Sequence, residues 1–180
     1  MDYRPLYPRP LRLLSAFLDG ILVVLGLGIC TLTFANAALR GFAGFDLAWS
    51  LEVVGLMLLW VTFVGAACAM ARGAHMRVTE IVAALVPGAL QRPLAILIDA
   101  AVAVLLLALT VYGFDIAMAT WAQQSTVLYY PIGLGYLSMP VGMVLCLVFH
   151  LYNAFLDATR RGVAAAELTH PDEEKREGLG

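Results

Sequence analysis

Residues 53–71 read VVGLMLLWVTFVGAACAMA, an unbroken run without a single charge, and this run decides the solvent in which the chain folds. A spanning helix needs about 20 mainly apolar residues, because each adds about 1.5 Å across a hydrocarbon core about 30 Å thick. Extended back to Leu47, with Glu52 near its start, the run meets that length and predicts a membrane span over 47–71. Working outward, the same criterion predicts spans over 13–39, 94–121 and 137–156. Composition agrees: 62% of the 180 residues are apolar and only 13% are charged, against roughly 25% charged in a soluble domain. A soluble fold of this size has too little interior to hide that much apolar surface.

The acids inside these spans test the assignment. Asp19 sits in the first, and one aspartate at a helix centre costs about 2.5 to 3.5 kcal/mol on insertion scales. The surrounding Leu, Ile, Val and Phe residues each return about 0.3 to 0.6 kcal/mol, so the segment still inserts. The third span carries two acids, Asp99 and Asp115, and is expected to lean on neighbours. The first segment is also far longer than the 7–15 apolar residues of a signal peptide, despite Arg4, Arg9 and Arg12 ahead of it. It is expected to remain as an uncleaved anchor.

Charge predicts orientation. Arg4, Arg9 and Arg12 precede the first span, Arg72, Arg77 and Arg92 follow the second, and Arg160, Arg161, Lys175 and Arg176 follow the fourth. Only Arg40 lies in the two remaining connections, so ten of the 11 basic residues fall on one side of an alternating pattern. Basic residues near span ends mark the cytoplasmic side, which predicts an all-α integral membrane fold with both termini inside. The expected organisation is a cytoplasmic segment over 1–12, a four-helix membrane domain over 13–160, and a disordered tail over 161–180. The stretch 72–92 alternates Met76, Val78, Ile81, Val82 and Leu85 with Arg77, Thr79 and Glu80. It predicts an amphipathic helix on the cytoplasmic interface between the second and third spans. The connection 123–140 carries Pro131, Gly133, Gly135 and Pro140 and is expected to be a loop on the opposite side, with Tyr129, Tyr130 and Tyr136 at headgroup depth.

Several chemistries have no residues to carry them. The chain lacks a GxxxxGK[ST] phosphate loop and an HExxH zinc motif. Cys30, Cys68 and Cys146 are odd in number and scattered through apolar runs, which suits packing better than a disulfide framework. A net charge of −2, with no basic stripe interleaved with aromatics, gives nucleic acid no footprint. No cofactor and no catalytic residue is expected. The ionisable residues read first as anchors: Glu52 one turn into its span, and Asp19, Asp99 and Asp157 near arginine-rich ends. Asp115 lies toward the other side, where contact with a partner protein is as good a reading as any. His75 and His150 leave a rival reading open, a haem-holding anchor of a redox complex. A small self-assembling channel or exporter is another. The residues taken alone describe a membrane protein that binds protein.

The second span and its sequel carry a resemblance. Trp49-Ser50-Leu51-Glu52, Leu58-Leu59-Trp60, Phe63-Val64-Gly65-Ala66-Ala67 and Arg72-Gly73-Ala74-His75-Met76-Arg77-Val78 follow one another in order. Together with Gln124-Ser125 and Pro140-x-Gly142, they resemble the DctQ-type small membrane subunit of tripartite ATP-independent periplasmic (TRAP) transporters, over roughly residues 13–160. The resemblance implies a non-enzymatic scaffold in the bacterial inner membrane, surrounded by lipid. It would brace a large membrane subunit that takes up a carboxylate solute on a sodium gradient, delivered by a periplasmic solute-binding protein. It also marks Glu52, Trp60, Arg72 and His75 as structural or interface positions, with Asp99, Asp115, Gln124 and Pro140 as secondary candidates.

Overall fold

The computed structural model describes residues 3–73 and 88–169. A short 3₁₀ turn, Arg4–Leu6, leads into α1 (Arg9–Ala43). Pro10 suits the first turn of α1, where an N–H has no intrahelical partner, and Gly44 closes the helix in the left-handed conformation at φ 63°. The second helix, α2 (Ala48–Ala71), ends at Arg72 and Gly73, the latter at φ 67°. Next come α3 (Gly88–Ala119), the single-turn α4 (Gly133–Tyr136) and α5 (Ser138–Thr169). Four helical stretches are long and apolar enough to cross a membrane: Arg9–Ala43, Ala48–Ala71, Pro93–Ala119 and Gly133–Thr159.

The helices pack in the order α1, α2, α5, α3, with α1 against α2, α2 against α5, and α5 against α3. Position in that order explains exposure. In the fourth span 44% of the most apolar window is buried, against 11% in the first and 6% in the third. The outer helices accordingly leave Leu13, Phe17, Val24, Val104, Leu105 and Phe114 facing outward, where lipid is the matching solvent. The core runs along the α2–α5 seam, through Val64, Ala67, Cys68, Ala71, Met143, Cys146 and Phe149. Small residues let α2 approach its neighbour closely here, Ala67 and Ala71 being fully buried. All three cysteines are free, Cys68 and Cys146 buried and Cys30 exposed.

Helix bounds differ from the sequence reading in three places, each for a local reason. The third helix begins at Gly88, not Leu94, and holds Pro93 inside it. Residues 88–92 therefore belong to α3, whose apolar stretch Pro93–Ala119 matches the expected third span. The rest of the expected interfacial segment, His75 included, lies outside the described residues.

The second difference concerns the connection 123–140, whose second half is helical. Gly133 is there for space: a Cβ on it would collide with the Ala117 carbonyl oxygen of α3. Pro140 is the third residue of α5, where the missing N–H costs little. Glycine and proline read as loop signals in sequence, but here they serve close packing and a helix start.

Third, α5 continues through Thr169, past the expected end of the fourth span at Leu156. The run Val163-Ala164-Ala165-Ala166-Glu167-Leu168 contains strong helix formers and no breaker.

Candidate functional site

At the end of the bundle opposite the N-terminus, Glu52 stands in the second turn of α2 and reaches into the α3–α4 connection. That connection is a closed loop. The Ile132 N–H donates to the Gln123 carbonyl at 2.9 Å and the Ser125 N–H to the Tyr130 carbonyl at 3.0 Å, on either side of an antiparallel bridge between Gln124 and Pro131. The tip turns through Tyr129 at φ 55°, a left-handed conformation that a residue with a Cβ seldom adopts. This turn aims two successive amides inward. Val127 N–H donates to Glu52 Oε1 at 2.8 Å and Leu128 N–H to Oε2 at 2.9 Å. Consecutive N–H groups arranged this way form an anion nest, and bonds to an ionised acceptor are about twice as strong as neutral ones. The Tyr130 hydroxyl adds a bond to the Glu52 carbonyl at 3.4 Å. Burial first, and then the Glu52 charge, push the Tyr130 phenol above its ordinary value. Glu52 is thus a staple between α2 and the loop.

The N-terminal end is held by a denser network. The Tyr7 hydroxyl lies 2.6 Å from Asn153 Oδ1 on α5 and 3.2 Å from the Ala71 carbonyl on α2, while Asn153 Nδ2 donates to the Met70 carbonyl at 2.9 Å. The Tyr7 ring stacks on Phe149 with centroids 5.9 Å apart. Tyr3 places its hydroxyl 3.0 Å from Asp157 Oδ1. Asp19 on α1 pairs with Arg4 at 3.1 Å and with Arg72 at 2.5 Å. So Asp19 does meet arginines near its helix end, as the sequence predicts.

The other candidates divide. Trp60 is half-buried and packs on the core. Asp99 contributes its main-chain carbonyl, which lies 2.9 Å from His150 Nε2. A carbonyl accepts only, so the proton is on Nε2, and that nitrogen is engaged within the fold rather than offered to a haem iron. Gln124 acts through its backbone in the loop bridge, and its side chain is exposed. Pro140 packs against α3 where Gly113 leaves room, its Cδ 3.1 Å from where a Cβ would sit. Asp115 is exposed on α3 and makes no hydrogen bond or ion pair among the described residues. His75 cannot be placed, since it lies outside them.

Sequence reasoning missed Tyr3, Tyr7, Asn36 and Asn153. Asn36, in α1, accepts the Leu47 N–H at 2.9 Å just ahead of α2 and ties the first hairpin. One signal was available for two of them: an asparagine inside an apolar span is costly unless it is bonded, so Asn36 and Asn153 announce partners. Nothing in the first 12 residues marks the tyrosines as buried.

The sequence profile described as "Tripartite ATP-independent periplasmic transporters, DctQ component" matches residues 29–160. The chain belongs to the DctQ family. It is also similar to the "Ectoine TRAP transporter small permease protein TeaB" of Halomonas elongata, with 28% identity over 149 residues, covering 81% of this chain and 77% of that protein. This DctQ chain is therefore a multi-pass membrane protein and the small permease subunit of a TRAP transporter, not an enzyme. The family implies two partners, a large permease subunit and a periplasmic binding protein. What the site can do chemically fits that membership. Among the described residues, every buried side-chain nitrogen and oxygen has a hydrogen-bond partner. The polar groups hold helices and a loop in place.

Proposed function

We propose that this DctQ subunit is the fixed frame of its transporter, seated in a bacterial inner membrane with both termini in the cytoplasm. In this reading residues 13–160 form the membrane domain and brace the large subunit. That subunit carries a carboxylate solute on a sodium gradient, after a periplasmic binding protein has delivered it. The observation that carries the reading is the staple: Glu52 spends both carboxylate oxygens on the loop amides of Val127 and Leu128. A carrier needs groups free to bind and release, whereas a brace needs its groups committed. The ten-to-one distribution of basic residues supports the orientation.

Glu52, Trp60, Arg72 and His75 then act as structural or interface residues, and Asp99, Gln124 and Pro140 support the same packing. Asp115, exposed near the end of α3, is assigned to contact with the large subunit. Ectoine appears in the name of the Halomonas relative. In this reading the residues that choose the solute lie on the partner chains, so the solute here is placed only within the carboxylate class.

The test is affinity purification in mild detergent after co-expression with the large subunit. Equimolar recovery is expected, and Glu52→Ala or His75→Ala should weaken that association more than it changes solute affinity. Recovery of this chain alone, or full uptake after its deletion, would end the proposal. Impermeant labelling of single cysteines placed in 1–12 and in the tail checks orientation independently, and labelling from the periplasm would reverse it.

A further inference from the structure

At the N-terminal end, α1 carries a cationic cleft above an apolar groove, and the structure assigns to it a bound anionic phospholipid. The cleft measures about 320 Å³ and is lined by Arg4, Pro5, Arg12, Ser15, Ala16 and Asp19. Its acid is already neutralised, because Asp19 is shared between Arg4 and Arg72. Arg9 and Arg12 are exposed, and neither guanidinium has an ion-pair partner among the described residues. Among the described residues positive charge at this end is therefore in excess, with Arg12 in a pocket large enough for a phosphate headgroup and Arg9 one turn before it.

The face below the cleft explains why the occupant is a lipid rather than a free phosphate. Helical spacing places Arg9, Arg12, Leu13, Ala16, Phe17, Gly20, Val24 and Leu27 on one side of α1. Leu13, Phe17, Val24 and Leu27 are 64–70% exposed. Ala16 and Gly20 are also exposed, and a Cβ on Gly20 would meet nothing within 4 Å. Ala16 and Gly20 thus floor a shallow trough flanked by Leu13, Phe17 and Val24 on one edge and by exposed Val23 on the other, beginning below the arginines. An acyl chain lies along such a trough while its headgroup phosphate meets Arg9 and Arg12, a basic pocket beside apolar helix surface. A free anion uses only the upper half. The occupant is thus a diacyl lipid with a net negative headgroup, held whichever way the transporter is loaded.

The test uses the full chain, delipidated in detergent, with native mass spectrometry reading retained lipid. Phosphatidylglycerol should be retained over phosphatidylcholine of the same chains, and each arginine near a charged surface adds about fivefold. Arg9→Gln with Arg12→Gln should bring phosphatidylglycerol down to the phosphatidylcholine level, while Arg40→Gln, near the far end of α1, changes nothing. Gly20→Phe keeps the charges and fills the trough, and it should lower phosphatidylglycerol retention as well. Both sites are exposed, and an unchanged thermal midpoint confirms intact folding. Equal retention of the two lipids, loss with Arg40→Gln, or indifference to Gly20→Phe would overturn the assignment. So would full displacement by millimolar glycerol phosphate, which marks a small-anion site. Loss of the lipid on binding the large subunit would also overturn it, since the face would then belong to protein.

Discussion

The hydroxyl of Tyr7 lies 2.6 Å from the side-chain oxygen of Asn153, joining residues 146 positions apart in the chain. Through Asn153 Nδ2 and the Met70 carbonyl, and through the Ala71 carbonyl beside Tyr7, this one contact binds the N-terminal segment, α2 and α5 together. The segment ahead of the first span is therefore part of the fold, wedged into the end of the bundle.

Tyr7→Phe tests that wedge. Removing the hydroxyl leaves Asn153 Oδ1 buried without its donor, which costs about 1–3 kcal/mol. Thermal unfolding in detergent should show a midpoint lower by several degrees. Tyr3→Phe should cost less, because its partner Asp157 is only half-buried and keeps access to water. An unchanged midpoint for Tyr7→Phe would mean the wedge is ornamental to stability.

Glu52→Ala tests the loop staple by hydrogen exchange. The Val127 and Leu128 amides are protected by the carboxylate, whose charge strengthens both hydrogen bonds. Their exchange should accelerate measurably, while amides in the middle of α5 keep their rates. Tyr129 should be freed from its left-handed turn at the same time. Equal exchange in variant and parent would dissolve the staple.

Gly142→Ala and Gly65→Ala form a matched pair. A Cβ on Gly142 would lie 2.6 Å from Phe63 Cβ and 2.8 Å from its backbone, so α5 must move off α2. Overpacking of this kind costs about 1–3 kcal/mol. On Gly65 the nearest atom is Leu22 Cδ2 at 3.9 Å, ordinary contact, and alanine is the better helix former. Denaturant midpoints should fall for the first and hold or rise for the second.

Tyr130 supplies a pH dependence. Its phenol is raised by burial and by the nearby Glu52 charge, so the folded state favours the neutral form. The sign follows: that contribution is complete below the ordinary tyrosine value of about 10 and is lost as pH rises through the higher folded value. Ultraviolet titration should show Tyr130 ionising late. Tyr130→Phe should abolish that late step, and Glu52→Gln should move it to lower pH.

Much of the membrane architecture was legible because lipid makes a simple demand. Runs of apolar residues about a bilayer long must be helices, since no other open structure satisfies its backbone there. Asp19 was legible as a partner of arginines for a related reason, because a charge near a helix end seeks its opposite. The glycines and the proline before the last helix misled, as local signals do not distinguish a turn from a close contact. Gly133 and Pro140 have turn chemistry in sequence, but the nearness of Ala117 and Gly113 decides their use.

The sequence by itself determined four long apolar helices, the excess of arginine on alternate connections, and the DctQ likeness. Each of these is a local or additive property, readable one residue at a time. Only the tertiary structure decided that α5 lies between α2 and α3, that Glu52 closes on the amides of Val127 and Leu128, and that Tyr7 finds Asn153. Those are pairings between distant parts of the chain. Every apolar helix is equally content in lipid, so hydropathy carries no information about which neighbour it takes. Helix neighbours are chosen by shape and by a few buried polar bonds, which exist only once the helices have met.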